Sequence, residues 1–160
     1  MSTLSVDTIQ GKTTSGTINI PNHIIQVVTH TYSTAFSWNS GGEHTTTSFT
    51  ITPKISSNKI HLFGVCPHYA PGDSNVWSST WSNMIFNGST RVYQSEHDGI
   101  YTGNVPVTST VSFNCPIATN ATAGTPITIT HKVSLTLGTA THQLNRSPRT
   151  TEFVVMEIAQ

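Results

Sequence analysis

The residues best equipped for chemistry in this 160-residue sequence are eight histidines, at positions 23, 30, 44, 61, 68, 97, 131 and 142. Ligands must converge on one ion, and a general base must reach one proton, so spacing decides what they can do. No HExxH pair and no zinc-finger spacing occurs. His97 lies between Glu96 and Asp98 in SEHDG, where a carboxylate could orient the imidazole. Calcium takes about six to eight oxygen ligands, so this stretch reads as a solvated loop. His131 shares a face with Ile129 and Val133 and reads as a core or interface histidine with a hydrogen-bond partner. In a trimer, His23, His30 or His131 could meet its copies around an axis. No resident metal or cofactor is expected.

Hydrolysis needs an activated nucleophile or a pair of carboxylates. Serines abound, but no GxSxG elbow is present. The acidic residues are Asp7, Glu43, Asp73, Glu96, Asp98, Glu152 and Glu157. A retaining glycosidase holds two carboxyls about 5 Å apart, and nothing in the pattern brings Asp73 to Glu96 or Asp98. The chain is therefore not read as an enzyme.

Binding chemistry is richer. The segment PHYAPGDSNVWSSTWSN offers the aromatic faces of Tyr69, Trp77 and Trp81 beside Asp73, Asn75 and Asn83. SEHDGIYTGN adds Tyr101 and Asn104. Aromatic surface beside amides and carboxylates suits the C–H faces and hydroxyls of a sugar. The competing reading has Trp77 and Trp81 plugging one end of the domain or a subunit contact. The sequons at Asn87, Asn120 and Asn145 carry no weight in a chain with 47 serines and threonines.

Stepping from sites to scaffold, the length fits one domain with a short appendage. Seven basic residues balance seven acidic ones, and 9% of the chain is charged, against about 25% in ordinary proteins. This excludes a basic field for nucleic acid. Apolar residues make up 35% of the chain, which excludes a disordered polar tract. No apolar run is long enough for a membrane helix, and the opening MSTLSVDTIQ does not read as a secretory leader. Cys66 and Cys115 each end an apolar run and read as two buried thiols rather than a disulfide.

The apolar pattern is that of strands. IIQVVTHTY, TTTSFTITP, KIHLFGVC, MIF and TRVYQ, VPVTSTVSFNCP, PITITHKVSLTL and EFVVMEIA are separated by turn-rich stretches. Asn87-Gly88 fits a tight hairpin turn. Ile127, Ile129, His131, Val133, Leu135 and Leu137 alternate as in a half-buried strand, whereas KIHLFGVC carries apolar residues on both faces and reads as buried on both. The PHYAPGDSNVWSSTWS and EHDGIYTGN stretches read as loops, with Trp77–Met84 as the one helical candidate. About eight strands predict an all-β, antiparallel sandwich, most simply a jelly roll, over residues 23–160. Residues 1–22 stand apart. Leu4, Val6, Ile9, Ile18 and Ile20 alternate with polar neighbours but are too few to form a core. They predict an oligomerisation or attachment segment.

The opening LSVDTIQGKTTSGTINIP with HIIQVV resembles a segment of short tail-fibre and virion-associated structural proteins of marine, cyanophage-like tailed bacteriophages. The closing TTEFVVMEIAQ and the preceding HKVSLTLGTATHQLNRS resemble the same group. The resemblance implies a homotrimer in the virion, assembled in the host cytoplasm. It implies an N-terminal segment that joins other virion proteins and a jelly-roll domain whose loops contact a host glycan or protein. The absence of a repetitive shaft suits a short fibre or, alternatively, a capsid or tail decoration. A free carbohydrate-binding module is the remaining alternative. No nucleic acid or membrane insertion is implied.

Overall fold

The computed structural model describes residues 22–70, 78–100, 106–138, 141–146 and 148–160. The expected assembly residues Leu4, Val6, Ile9, Ile18 and Ile20 lie outside these, as do Asp73, Asn75, Trp77, Tyr101 and Asn104 of the expected ligand site. The described strands are β1 (Ile24–Tyr32), β2 (Phe36–Trp38), β3 (His44–Ile51), β4 (Lys59–Ala70), β5 (Ser78–Asn87), β6 (Thr90–Ile100), β7 (Val107–Ala118), β8 (Ile127–Leu137), β9 (His142–Leu144) and β10 (Thr151–Ile158).

Two antiparallel sheets face each other. One runs β1-β10-β4, with β7 on the far side of β4 and the short β9-β2 pair extending from its end. The other runs β3-β8-β5-β6. The eight long strands pair from the outside of the sequence inward: β1 with β10, β3 with β8, β4 with β7, β5 with β6. This nested pairing, split over two sheets, is the jelly roll, and the chain is an all-β antiparallel sandwich of that kind.

Alternation along each strand builds the core. Ile60, Leu62 and Cys66 of β4, Phe113 and Cys115 of β7, and Phe153 and Val155 of β10 point inward against Trp81, Ile85, Ile129 and Val133 of the other sheet. Gly64 takes its place in the inward row because the Phe113 ring covers it, and any Cβ there would collide with that ring. The Asn87–Thr90 hairpin forms as the sequence predicts, with Gly88 at φ 56°. Both cysteines are free and buried, and burial pushes their thiols up to about 12 for Cys66 and about 11 for Cys115.

Three sequence expectations are corrected. Trp77–Met84 does not harbour a helix, because β5 begins at Ser78 and runs through Met84 in pairing with β6 and β8. Neither PHYA nor SEHDG is a loop: β4 runs through the first to Ala70, and β6 through the second to Ile100. KIHLFGVC is buried on one face only, for Phe63 and Val65 retain 36% and 39% exposure while Ile60 and Leu62 have none.

Candidate functional site

Strand register assembles the outer face of the β1-β10-β4-β7 sheet row by row. Val27, Met156 and His61 form one row. Thr29, Val154, Phe63 and Asn114 form the next, followed by Thr31, Glu152, Val65 and Ser112. Val27 is 53% exposed, so the apolar strip reaches the β1 side of the sheet. Phe63, Val65, Val154 and Phe113 line an open groove of about 490 Å³, with Tyr93, Ser112, Asn114 and Glu152 as its polar groups. The His61 ring bonds Asn114 Oδ1 and lies beside Phe63, at 4.9 Å between centroids. This surface can shelter an apolar partner; it holds no arrangement for bond breaking.

The inward end of the sandwich is polar, and both of its histidines are paired at each ring nitrogen, whereas the Trp38 indole N–H beside them has no partner. His68 Nε2 and His142 Nδ1 are 2.8 Å apart, His142 Nε2 meets Ser79 Oγ at 2.5 Å, and His68 Nδ1 meets Ser109 Oγ at 3.2 Å. Trp81 stacks on His68 at 4.3 Å, and Trp38 stacks on His142 at 5.4 Å. Burial, with His142 and His97 adding to it, pushes His68 down to about 3. Burial alone pushes His142 down to about 4. Both imidazoles are neutral at pH 7, as the hydrogen-bond chain requires, because each then donates once and accepts once. A base this weak does not suit proton abstraction near neutral pH.

His131 is a core histidine, as its alternation predicts. Thr46 Oγ1 lies 2.6 Å from its Nδ1, Asn83 Oδ1 bonds its Nε2, and Phe113 stacks on the ring. Burial pushes it down to about 3. Glu157 is buried too. Burial works to raise its pKa, but bonds from the Lys54 and Ile55 amides and from the Asn58 and Gln26 side chains outweigh that and hold it below the ordinary value. The carboxylate thus ties the loop after β3 to β10 and has no free lone pair for chemistry. Among the described residues, no three His, Cys, Asp or Glu side chains converge on a possible metal position.

Of the expected sugar-binding residues, Tyr69 and Trp81 lie among the described ones. Trp81 is 1% exposed and belongs to the core, the competing reading of that residue. Tyr69 is partly exposed at the end of β4, where the Arg146 guanidinium lies 4.0 Å over its ring. Sequence reasoning missed that arginine and its neighbour Arg149. Their signal was two cations three residues apart, NRSPR, in a chain with only seven.

Comparison with known proteins corrects the fibre assignment. No family model matches the chain, and no curated protein matches it in sequence. Similar solved structures include dimeric latent PorU from Porphyromonas gingivalis, at 7% identity and a TM-score of 0.55 over 90% of this chain and 14% of that one. They also include the VP2 subviral particle of infectious bursal disease virus, at 15% identity and a TM-score of 0.46 over 100% of this chain and 42% of VP2. T=1 particles derived from the same virus give 15% identity and 0.47, over 99% and 40%. The chain thus spans well under half of each of these proteins. Such likeness speaks to fold alone. None of these similar structures is a tailed-phage fibre, and the bacteriophage, tail-fibre and receptor-contact readings are set aside.

Proposed function

We propose that this chain is a non-enzymatic structural jelly roll, a capsid or decoration subunit of a viral particle that assembles with copies of itself. The observation that carries the reading is β4. Its sequence supplies apolar side chains for two covered faces, and the single chain covers one. Phe63 and Val65, with Val154 and Val27 beside them, form a contiguous apolar strip on a molecule whose polar surface is otherwise mostly hydroxyl and amide. Such a strip on a soluble domain marks a contact surface. A low charge density supports the same reading, since few charged residues need desolvating when copies meet. The jelly roll is also an architecture that capsids use. Homotrimerisation, location in a virion, and the division into a segment 1–22 and a domain 23–160 belong to this proposal. Leu4, Val6, Ile9, Ile18 and Ile20 are proposed as the attachment handle. Their segment joins the fold at Asn22, whose amide donates to Ala159 O beside the β1–β10 end of the same sheet.

Light scattering across a concentration series tests the reading. The full chain is expected as an oligomer, and Phe63→Ser with Val65→Ser as a folded monomer. A full chain that stays monomeric at every concentration overturns it. The second reading, a carbohydrate-binding module, is favoured by one observation: Phe63 and Tyr93 border a groove that also holds Asn114 and Glu152. A monomer that binds a glycan, and loses it on Asn114→Ala, would establish that alternative.

A further inference from the structure

The end of the sandwich near Tyr69 brings two cationic side chains together, Arg146 and Arg149. Two hollows meet there, sharing Thr108, Pro148 and Arg149. The smaller, about 330 Å³, is bordered by Tyr69, Arg146 and Arg149. The larger, about 540 Å³, adds the hydroxyl-bearing Ser109, Thr110 and Thr150. Among the described residues, no carboxylate lines either hollow. Among the described residues the ion pair is Lys132–Glu43, so neither arginine has an acidic partner there.

The arginines are held in place. Asn145 is 1% exposed and sits at φ 55°, a left-handed conformation that asparagine tolerates. Its side chain accepts from Thr151 Oγ1 at 2.7 Å and donates to Thr34 O at 3.2 Å, which anchors the chain where Arg146 begins. The Arg149 amide donates to Arg146 O at 3.1 Å and keeps the two residues close. The Tyr69 ring occupies one flat face of the Arg146 guanidinium and leaves the N–H edge available, the edge that forks around two oxygens.

Ser109 connects this surface to the buried histidines. In one polarity of the hydrogen-bond chain, Ser79 donates to His142, His142 to His68, and His68 Nδ1–H to Ser109 Oγ. In that polarity the Ser109 hydroxyl accepts from His68 and keeps its own proton for a further acceptor.

We propose that this hollow is an oxyanion site, taking a phosphate, sulfate or carboxylate group between Arg146 and Arg149, with Ser109 and Thr110 as hydroxyl donors. The site does not depend on the assembly reading, because it uses the end of the sandwich and not the outer sheet face.

Calorimetric titration of the full chain with inorganic phosphate, sulfate and glucuronate, at constant ionic strength and pH 7.5, tests it. One saturable site per chain is expected, with Arg146→Gln and Arg149→Gln each weakening it tenfold or more. Lys132→Gln, a cation on the other sheet, should leave it unchanged. Tighter binding of phosphate and sulfate assigns a tetrahedral ligand group, and tighter binding of glucuronate a carboxylate. Non-saturable heats, or equal losses in Lys132→Gln and Arg149→Gln, would overturn the site. Arg149→Gln decides the matter should Arg146→Gln disturb the stack on Tyr69.

Discussion

The two faces of the β1-β10-β4-β7 sheet use similar side chains to different ends. Inside, Leu62, Phe113 and Phe153 meet a second sheet and lose nearly all contact with water. Outside, Phe63, Val65 and Val154 sit one residue away in sequence, yet face solvent or an open groove. Both rows have strand-compatible, apolar chemistry. The difference is what lies above them, which a β pattern does not encode. A strand greasy on both faces declares that two layers are needed; it does not say whether the second comes from the same chain.

Mutations on opposite faces should therefore separate folding from association. Phe153→Ala removes a large inward ring and should cost about 3–5 kcal/mol of folding stability, read by urea unfolding. Equal stability for that variant and the wild type would dissolve the distinction between the faces.

Acid should act on a comparable scale. His68, His131 and His142 are neutral in the fold, their pKa values pushed to about 3, 3 and 4. The unfolded chain takes up protons on them from about pH 6.5 downward, so it binds more protons than the fold and stability falls with pH. The loss should begin near pH 6.5, reach about 1.4 kcal/mol per histidine by pH 5.5, and level off only near 3–4. Glu157 adds its own loss below its ordinary carboxylate range. A flat urea midpoint from pH 7.5 to 5 would show that these imidazoles are charged or wet.

Gly64→Ala forces a methyl into the Phe113 ring from the inner side. A drop of about 1–3 kcal/mol is expected, visible as a lower melting temperature. Phe63→Ser, its outer neighbour, should change monomer stability by only about 0.5 kcal/mol while abolishing self-association in light scattering. If Phe63→Ser instead unfolds the monomer, the outer face is structural and not an assembly surface.

Much of the architecture was legible in the sequence. The strict alternation of Ile127–Leu137, the Asn87-Gly88 turn and the closing EFVVMEIA each became the strand or hairpin expected. The segment before Met84 misled for a physical reason. SSTWSN looks like loop chemistry, but Ser79, Ser82 and Asn83 are buried with partners: Ser79 meets His142 of the opposite sheet, while Ser82 and the Asn83 carbonyl meet Thr136 and His131 of the neighbouring β8. The His68–His142 pair was illegible because its members are 74 positions apart and meet only through the roll. Arg146 and Arg149 looked like ordinary turn residues until the end of β4 brought Tyr69 beneath one of them.

The outside-in pairing also sets a timetable. The β5–β6 hairpin closes over a two-residue turn, whereas β1 must find β10 across most of the chain. Short-range contacts cost less entropy and form sooner. The sticky outer surface exists only after β10 has slotted between β1 and β4. Half-built molecules therefore lack the very patch that would let them cling to one another, and maturity itself acts as the licence to associate.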